Sequence, residues 1–279
     1  MAGDLVLIDG EPGDGRLSVF DDGLLRGDGC FEAIRSYDGR PFAVDEHQRR
    51  LTASAAALGI PVPAAEDLGK WIETVAAKGG DCIVRVVLTR GGTVPAHTLP
   101  SRCIVMSHPV PPVAAEFSLL PVPAPWHPAG RSWELSGVKT ISYAPNQAAS
   151  RLARQGNYDD ALLVSDSGVI LEGPTFSFAW VIRGVLETAG LGLGILDSIT
   201  RRMVIADAPA LGIEVVQGRF ELARLEEASE AMAISTVKQV APVLRVGDWS
   251  CSPGDVAATL NRALTARAQE TAPQATTGR

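Results

Sequence analysis

Lysine is scarce in this chain. Lys70, Lys78, Lys139 and Lys238 are the only ones in 279 residues, and arginine supplies the rest of the positive charge. Cysteine follows no pattern: Cys30, Cys82, Cys103 and Cys251 are scattered, without a Cys-x-x-Cys pair. That excludes a disulfide frame and a zinc site, and implies reduced thiols in a reducing compartment. A basic excess is also missing. The formal net charge of -7 argues against general nucleic-acid binding and fits a soluble cytoplasmic protein. No apolar run is long enough to span a bilayer, and Met1–Leu5 is neither basic nor followed by a long apolar stretch, so no membrane span or signal peptide is expected. Nucleotide-loop signatures are absent as well. Gly190, Gly192 and Gly194 have the wrong spacing for G-x-G-x-x-G, and no Walker-type Gly-Lys-Thr occurs.

What is present is a chain able to bury a large core, with 46% apolar and 20% charged residues, long enough for one large domain or two ordinary ones. Asp38-Gly39 between apolar runs predicts a hairpin. Asp45 is placed as the N-cap of a helix running to about Gly59, with Leu51, Ala55 and Leu58 on its core face and Ser54 at the edge. A second helix fits 65–78, and strands fit 82–89 and 103–106. Seven prolines between Pro109 and Pro128 are expected to prevent a helix and interrupt sheet pairing, and they put a domain junction near 110–113. Beyond it, strands are expected at 117–122, 161–164, 169–171, 176–182, 185–187, 214–216 and 231–237. Helices are expected at 146–155, 199–212, 222–227 and 253–269. Strands in hairpins with segregated helices give an α+β class. The small polar stretch 271–279 is expected to be disordered.

Four places carry chemistry. Lys139 lies among small and apolar neighbours in Leu135-Ser136-Gly137-Val138-Lys139-Thr140-Ile141-Ser142-Tyr143. A semi-buried ammonium loses hydration, its pKa falls, and the resulting free amine can form a Schiff base. A lone lysine is more often a surface residue after a turn. Ser198-Ile199-Thr200 opens a helix, where backbone N–H groups, a hydroxyl and the helix dipole make an anion site, or simply an ordinary cap. Ser235-Thr236 ends a strand, as a second anion candidate or a plain polar strand end. Glu172 closes an apolar strand before a turn. Such a carboxylate is usually solvated, and its functional alternative is pairing with a ring-nitrogen cation. No metal site is expected.

In order, these pieces resemble the fold-type IV pyridoxal phosphate enzymes of the class IV aminotransferase family, which include branched-chain and D-amino-acid aminotransferases and aminodeoxychorismate lyase. Gly27-Asp28-Gly29-Cys30-Phe31-Glu32 and His47-Gln48-Arg49-Arg50-Leu51 are similar to family motifs in the N-terminal half. The resemblance covers about residues 5–246. It implies a smaller N-terminal α/β sandwich domain, 1–112, and a larger C-terminal pseudo-barrel domain, 113–270, that binds pyridoxal 5'-phosphate. It also implies a homodimer with the site at the domain junction, and a small-molecule substrate. Lys139 is then the Schiff-base lysine and general base, and Glu172 the partner of the pyridine nitrogen. Tyr143 hydrogen-bonds the ring oxygen. Arg50, Ile199, Thr200, Ser235 and Thr236 serve the phosphate, and Phe31, Arg90 and His97 line the substrate side.

Three places depart from the family pattern: Ser142 before the tyrosine, Phe176-Ser177 after Glu-Gly, and Asp197-Ser198 before Ile-Thr. The D-amino-acid enzymes carry an arginine where this chain has Pro95, with His97 retained, which counts against that substrate class. The chain also lacks the N-terminal extension common in branched-chain enzymes. By elimination the resemblance favours a lyase that converts 4-amino-4-deoxychorismate to 4-aminobenzoate and pyruvate for folate synthesis. An aminotransferase for branched-chain or D-amino acids is the alternative.

Overall fold

The structure, a computed structural model, describes residues 5–112 and 117–270. The 271–279 tail and part of the expected domain junction therefore lie outside the described residues. The N-terminal part is a wholly antiparallel sheet. Its strands are β1 (Val6–Ile8), β2 (Glu11–Pro12), β3 (Gly29–Tyr37), β4 (Arg40–Pro41), β5 (Cys82–Thr89) and β6 (Arg102–Pro109), in the order β2-β1-β6-β5-β3-β4. Short helix α1 (Asp22–Arg26) precedes β3, and α2 (Val44–Leu58) and α3 (Ala65–Gly79) cover one face. Side chains alternate along strands. The even-numbered residues of β3, such as Cys30 and Ile34, face those helices in the core with Leu51, Leu68 and Ile72. The odd-numbered Phe31 and Ala33, with Arg85 and Val87 opposite them on β5, face the other way into a cavity.

The hairpin at Asp38-Gly39 forms as expected, both residues having positive φ (50° and 80°). Asp45 is not the cap of α2. Ala43 holds that place with φ 57° and no side-chain cap bond, and Asp45 and Glu46 instead fall in the first turn, where their charge suits the helix dipole.

The C-terminal part is a mixed sheet of β7 (Phe117–Pro123), β8 (Asp160–Val164), β9 (Ser177–Ile182), β10 (Val185–Ala189), β11 (Val215–Gly218), β12 (Glu230–Ser235), β13 (Gln239–Val246) and β14 (Trp249–Ser250). Their order is β11-β10-β9-β12-β13-β7-β8, with β14 on β13. Helices α4 (Ala144–Gln155), α5 (Ile199–Asp207) and α6 (Asp255–Glu270) pack against it. Residues 169–171 make only isolated bridges, and 222–227 is a 3-10 turn, as is the 208–211 end of the 199–212 helix.

The prolines do not interrupt pairing as expected. Pro121 and Pro123 sit within β7, matched to Leu162 and Val164 of β8. On the other side, β13 pairs with β7 only as far as Leu119, whose carbonyl accepts from Gly247 N–H as β13 turns away. The missing proline N–H groups therefore face a side with no strand to accept them among the described residues. Among the described residues no helix is long and apolar enough to cross a membrane.

Candidate active site

A cavity of about 1120 Å³ opens between the two sheets. Lys139 reaches it because its segment is sewn to the start of β3. Phe31 N–H donates to the Lys139 carbonyl at 3.0 Å, and Ile141 N–H to that of Gly29 at 3.0 Å. Lys139 N–H donates to the Ser54 hydroxyl of α2 at 3.2 Å. Gly29 has to be glycine, since a Cβ there would stand 2.3 Å from the Leu88 carbonyl and 2.8 Å from Ile141. Lys139 Nζ lies 4.3 Å from the centre of the Phe31 ring and has no carboxylate partner among the described residues. Burial pushes its ammonium down to about 8, against the pull of Glu32. Tyr143 stands edge-on to Phe31 with ring centres 5.3 Å apart, and burial raises its phenol.

Glu172 also lines the cavity. Both its oxygens accept from Leu196 N–H at 3.2 Å, and His127 Nε2 is 3.5 Å away. His127 Nδ1 accepts from Ala129 N–H at 3.2 Å, so the ring proton belongs on Nε2, aimed at the carboxylate. The following Gly173 is fixed by packing, because a Cβ there would meet the Phe176 ring at 2.1 Å.

Arg50 lines the cavity but is largely engaged. Nε and Nη2 each donate to Glu32 at 2.7 Å, and Nη1 donates to the Asp197 carbonyl at 3.0 Å. His47 Nδ1 also meets Glu32 at 2.7 Å. Burial would raise the Glu32 carboxyl, but the hydrogen bonds and charge from Arg50 and His47 hold it at about 2. Burial also lowers His47.

Ile199 and Thr200 are buried at the start of α5 and are not themselves in the cavity wall, although Ser198 is. The Ser198 hydroxyl takes the Arg201 N–H and its carbonyl takes Arg202 N–H, so the N–H groups of Ile199 and Thr200 have no partner among the described residues. Ser235 and Thr236 line the cavity on the turn between β12 and β13.

Arg90 also lines the cavity, with Nη2 donating to Asp28 at 3.1 Å. His97 is not brought there. The 3-10 turn Pro95–His97 lays its ring on Phe20, parallel at 3.7 Å, on the exposed surface.

Three residues escaped the sequence reading. His127 lay hidden in the proline-rich stretch. Ser54 read as a helix edge residue. Arg85 was not singled out within the 82–89 strand, yet it sits on the cavity wall with its guanidinium carbon 5.3 Å from the centre of the Phe31 ring and a buried Nε that has no partner among the described residues. The strand alternation that puts Arg85 opposite Ala33, beside Phe31, was the available signal.

The donor set fits an anionic, ring-bearing aldehyde. A deprotonatable amine and a carboxylate line one space of about 1120 Å³, and the N–H groups of Ile199 and Thr200, unpartnered among the described residues, follow wall residue Ser198 at the helix start.

Comparison with known proteins agrees with that chemistry. The family model described as Amino-transferase class IV matches residues 29–246. A putative branched-chain-amino-acid aminotransferase of Methanocaldococcus jannaschii is 33% identical, over 84% of this chain and 83% of its own. Aminodeoxychorismate lyase of Bacillus subtilis is 29% identical, over 85% and 83%. Among solved structures, the PLP-bound form of a hypothetical aminotransferase from Mycobacterium tuberculosis superimposes with a TM-score of 0.87 at 25% identity, covering 97% of this chain and 100% of that one.

Proposed function

The chain belongs to the class IV aminotransferases, pyridoxal phosphate enzymes of fold-type IV, and on that premise we propose that it is an aminodeoxychorismate lyase. The substrate would be 4-amino-4-deoxychorismate, and the products pyruvate and 4-aminobenzoate for folate synthesis. The observation that carries this reading is Arg85. A guanidinium on the substrate wall, with an unpartnered buried Nε and no carboxylate neighbour among the described residues, calls for an anionic group on the substrate. The cavity as a whole is cationic: Arg26, Arg50, Arg85, Arg90, Lys139 and Lys238 line it against Asp28 and Glu172. A ring amine bearing two carboxylates suits such a wall, and Trp126 and Trp133, also in the lining, suit its ring.

When bound, pyridoxal phosphate supplies an electron sink for the carbon that loses a proton. Lys139 Nζ holds the cofactor and then takes that proton, its lowered pKa making it a competent base near neutral pH. Glu172, oriented by Leu196 N–H and His127, keeps a proton on the ring nitrogen. Arg50 and the start of α5 receive the phosphate, with Ser235 and Thr236 beside them. Arg85, Arg90 and Phe31 position the substrate.

A second reading, an amino-acid aminotransferase, is favoured by the branched-chain relative. An arginine for a second carboxylate would serve that activity too. In either case the protein acts in the cytoplasm as a homodimer of two-domain subunits divided near residue 112. The exposed apolar side chains Leu17, Val19, Phe20, Leu24 and Leu25, next to cavity residue Arg26, support the dimer.

The test is turnover of 4-amino-4-deoxychorismate without an amino acceptor. Sustained release of pyruvate and 4-aminobenzoate, lost in Lys139→Ala, is expected. No release, with leucine, valine or D-alanine converting the cofactor to its amine form, would replace the lyase by the aminotransferase.

A further inference from the structure

Ser177 opens β9 where the family pattern has a different residue. Its side chain shares a face with Ala179 and Val181, and that face packs beneath α5 against Val204. Ser177 is 2% exposed, it lines the cavity, and its Oγ has no hydrogen-bond partner among the described residues. A buried hydroxyl left unpaired is destabilising, and a native chain keeps one where something outside the chain completes it.

A second observation lies on the same face of the sheet. Arg201 follows Ile199 and Thr200 in the first turn of α5 and is only 1% exposed. Its guanidinium donates to Thr188 Oγ1 at 3.3 Å, the Ala189 carbonyl at 2.6 Å and Gln217 Oε1 at 2.9 Å. Thr188 is paired with Ala179 across β10 and β9, which sets this guanidinium beside the strand that carries Ser177. All three acceptors are neutral, so the buried charge is hydrogen-bonded without being neutralised. The carboxylates that act on it from a distance are Asp197 and Glu172, at the α5 entrance and in the cavity wall. A buried charge without an adjacent counter-charge is costly unless an anion is bound near it.

A third observation is the pair of free N–H groups at Ile199 and Thr200 described above, which point from the same helix start.

We propose that Ser177 is a ligand of the cofactor's phosphate, donating its hydroxyl to an anion held at the start of α5, and that Arg201 is a positioning residue whose buried charge supports that anion from beneath. This rests on the reading that the phosphate end of pyridoxal phosphate lies at α5. Ser177 touches the anion, whereas Arg201 acts through its field and by holding β10 and β11 to the helix.

The test compares apoprotein affinities for pyridoxal 5'-phosphate and for pyridoxal, which lacks the phosphate, with thermal melting of each apoprotein. In the native protein the phosphate ester binds far more tightly. The ratio of the two affinities isolates the phosphate contribution. Ser177→Ala is expected to lower that ratio by about tenfold, the size of a hydrogen bond to a charged group, while pyridoxal affinity is unchanged and the apoprotein melts no lower. Arg201→Met is expected to lower the ratio by about tenfold or more on the same grounds. If it does not fold, Ser177→Ala decides alone. An unchanged ratio in Ser177→Ala overturns the proposal. A native protein that binds both aldehydes equally overturns the seating of the phosphate at α5, and the proposal with it.

Discussion

Lys139 is an ammonium pressed against Phe31 in a wall that withholds water from it, and its chemistry follows from that placement. Only the neutral amine attacks an aldehyde. With the pKa at about 8, the rate at which apoprotein captures pyridoxal phosphate should climb about tenfold between pH 7 and 9 and then level off. A lysine at its ordinary pKa would still be climbing at pH 10, and stopped-flow absorbance separates the two cases. The same shift has a stability consequence. The folded state binds fewer protons than the unfolded chain between about 8 and the usual 10.5, so this group costs stability below pH 8 and the cost fades as pH rises through that window. Lys139→Met apoprotein should therefore melt higher than the native apoprotein at pH 7, with the gap closing toward pH 10.5. Glu32 works in the opposite sense. Held at about 2 against an ordinary 4.5, its ion contributes stability above pH 4.5 that is lost as pH falls through 2. Glu32→Gln leaves Arg50 and His47 without their shared anion and should cost about 3–5 kcal/mol in a denaturant titration. At this scale the sequence pointed to cavity residues where a residue type is rare or sits in a motif, as with Lys139 and Glu172, both of which the fold brings to the cavity wall. Arg85, Ser177 and His127 were not so marked, because their significance lies in an unpaired atom or a neighbour that only the fold supplies.

The element that matters most is the 138–141 segment, laid along the open end of β3 by backbone bonds to Gly29 and Phe31. Its geometry depends on close backbone approach at Gly29. Gly29→Ala would drive a methyl into the Leu88 carbonyl and Ile141. It should lower cofactor occupancy sharply, read from the visible absorbance, even though no cavity side chain is altered. Secondary structure was largely legible from periodicity and turn residues: the Asp38-Gly39 hairpin, α3 and β5 lie where the pattern puts them. The misreadings came from tertiary context. Prolines in β7 looked like breaks, yet that strand carries them where, among the described residues, no strand pairs on the side their N–H groups would face. Ala43 at a left-handed cap position carries no sequence signal at all, and the nearest acidic residue drew the boundary instead.

Across the whole molecule, two sheets of different topology are joined where the site lies. Arg50 reaches the Asp197 carbonyl at 3.0 Å, Arg202 meets Glu46 at 3.0 Å, and Gln239 donates to the Tyr37 hydroxyl at 2.9 Å. The α+β class was visible in element order. The electrostatic design was not, because an acidic chain with a net charge of -7 brings six of its 25 lysines and arginines to one cavity only after folding. That contrast should show as salt dependence: kcat/KM for a dicarboxylate substrate should fall as ionic strength rises from 0.01 to 0.15 M, since screening weakens attraction to a cationic mouth. All of this depends on one covalent assignment. The most direct test is to reconstitute the protein with pyridoxal phosphate, reduce it with borohydride and map the modified peptide by mass spectrometry. The account predicts a single phosphopyridoxyl group on Lys139. Modification of Lys238, the other lysine in the cavity wall, or the absence of any fixed cofactor, would contradict it.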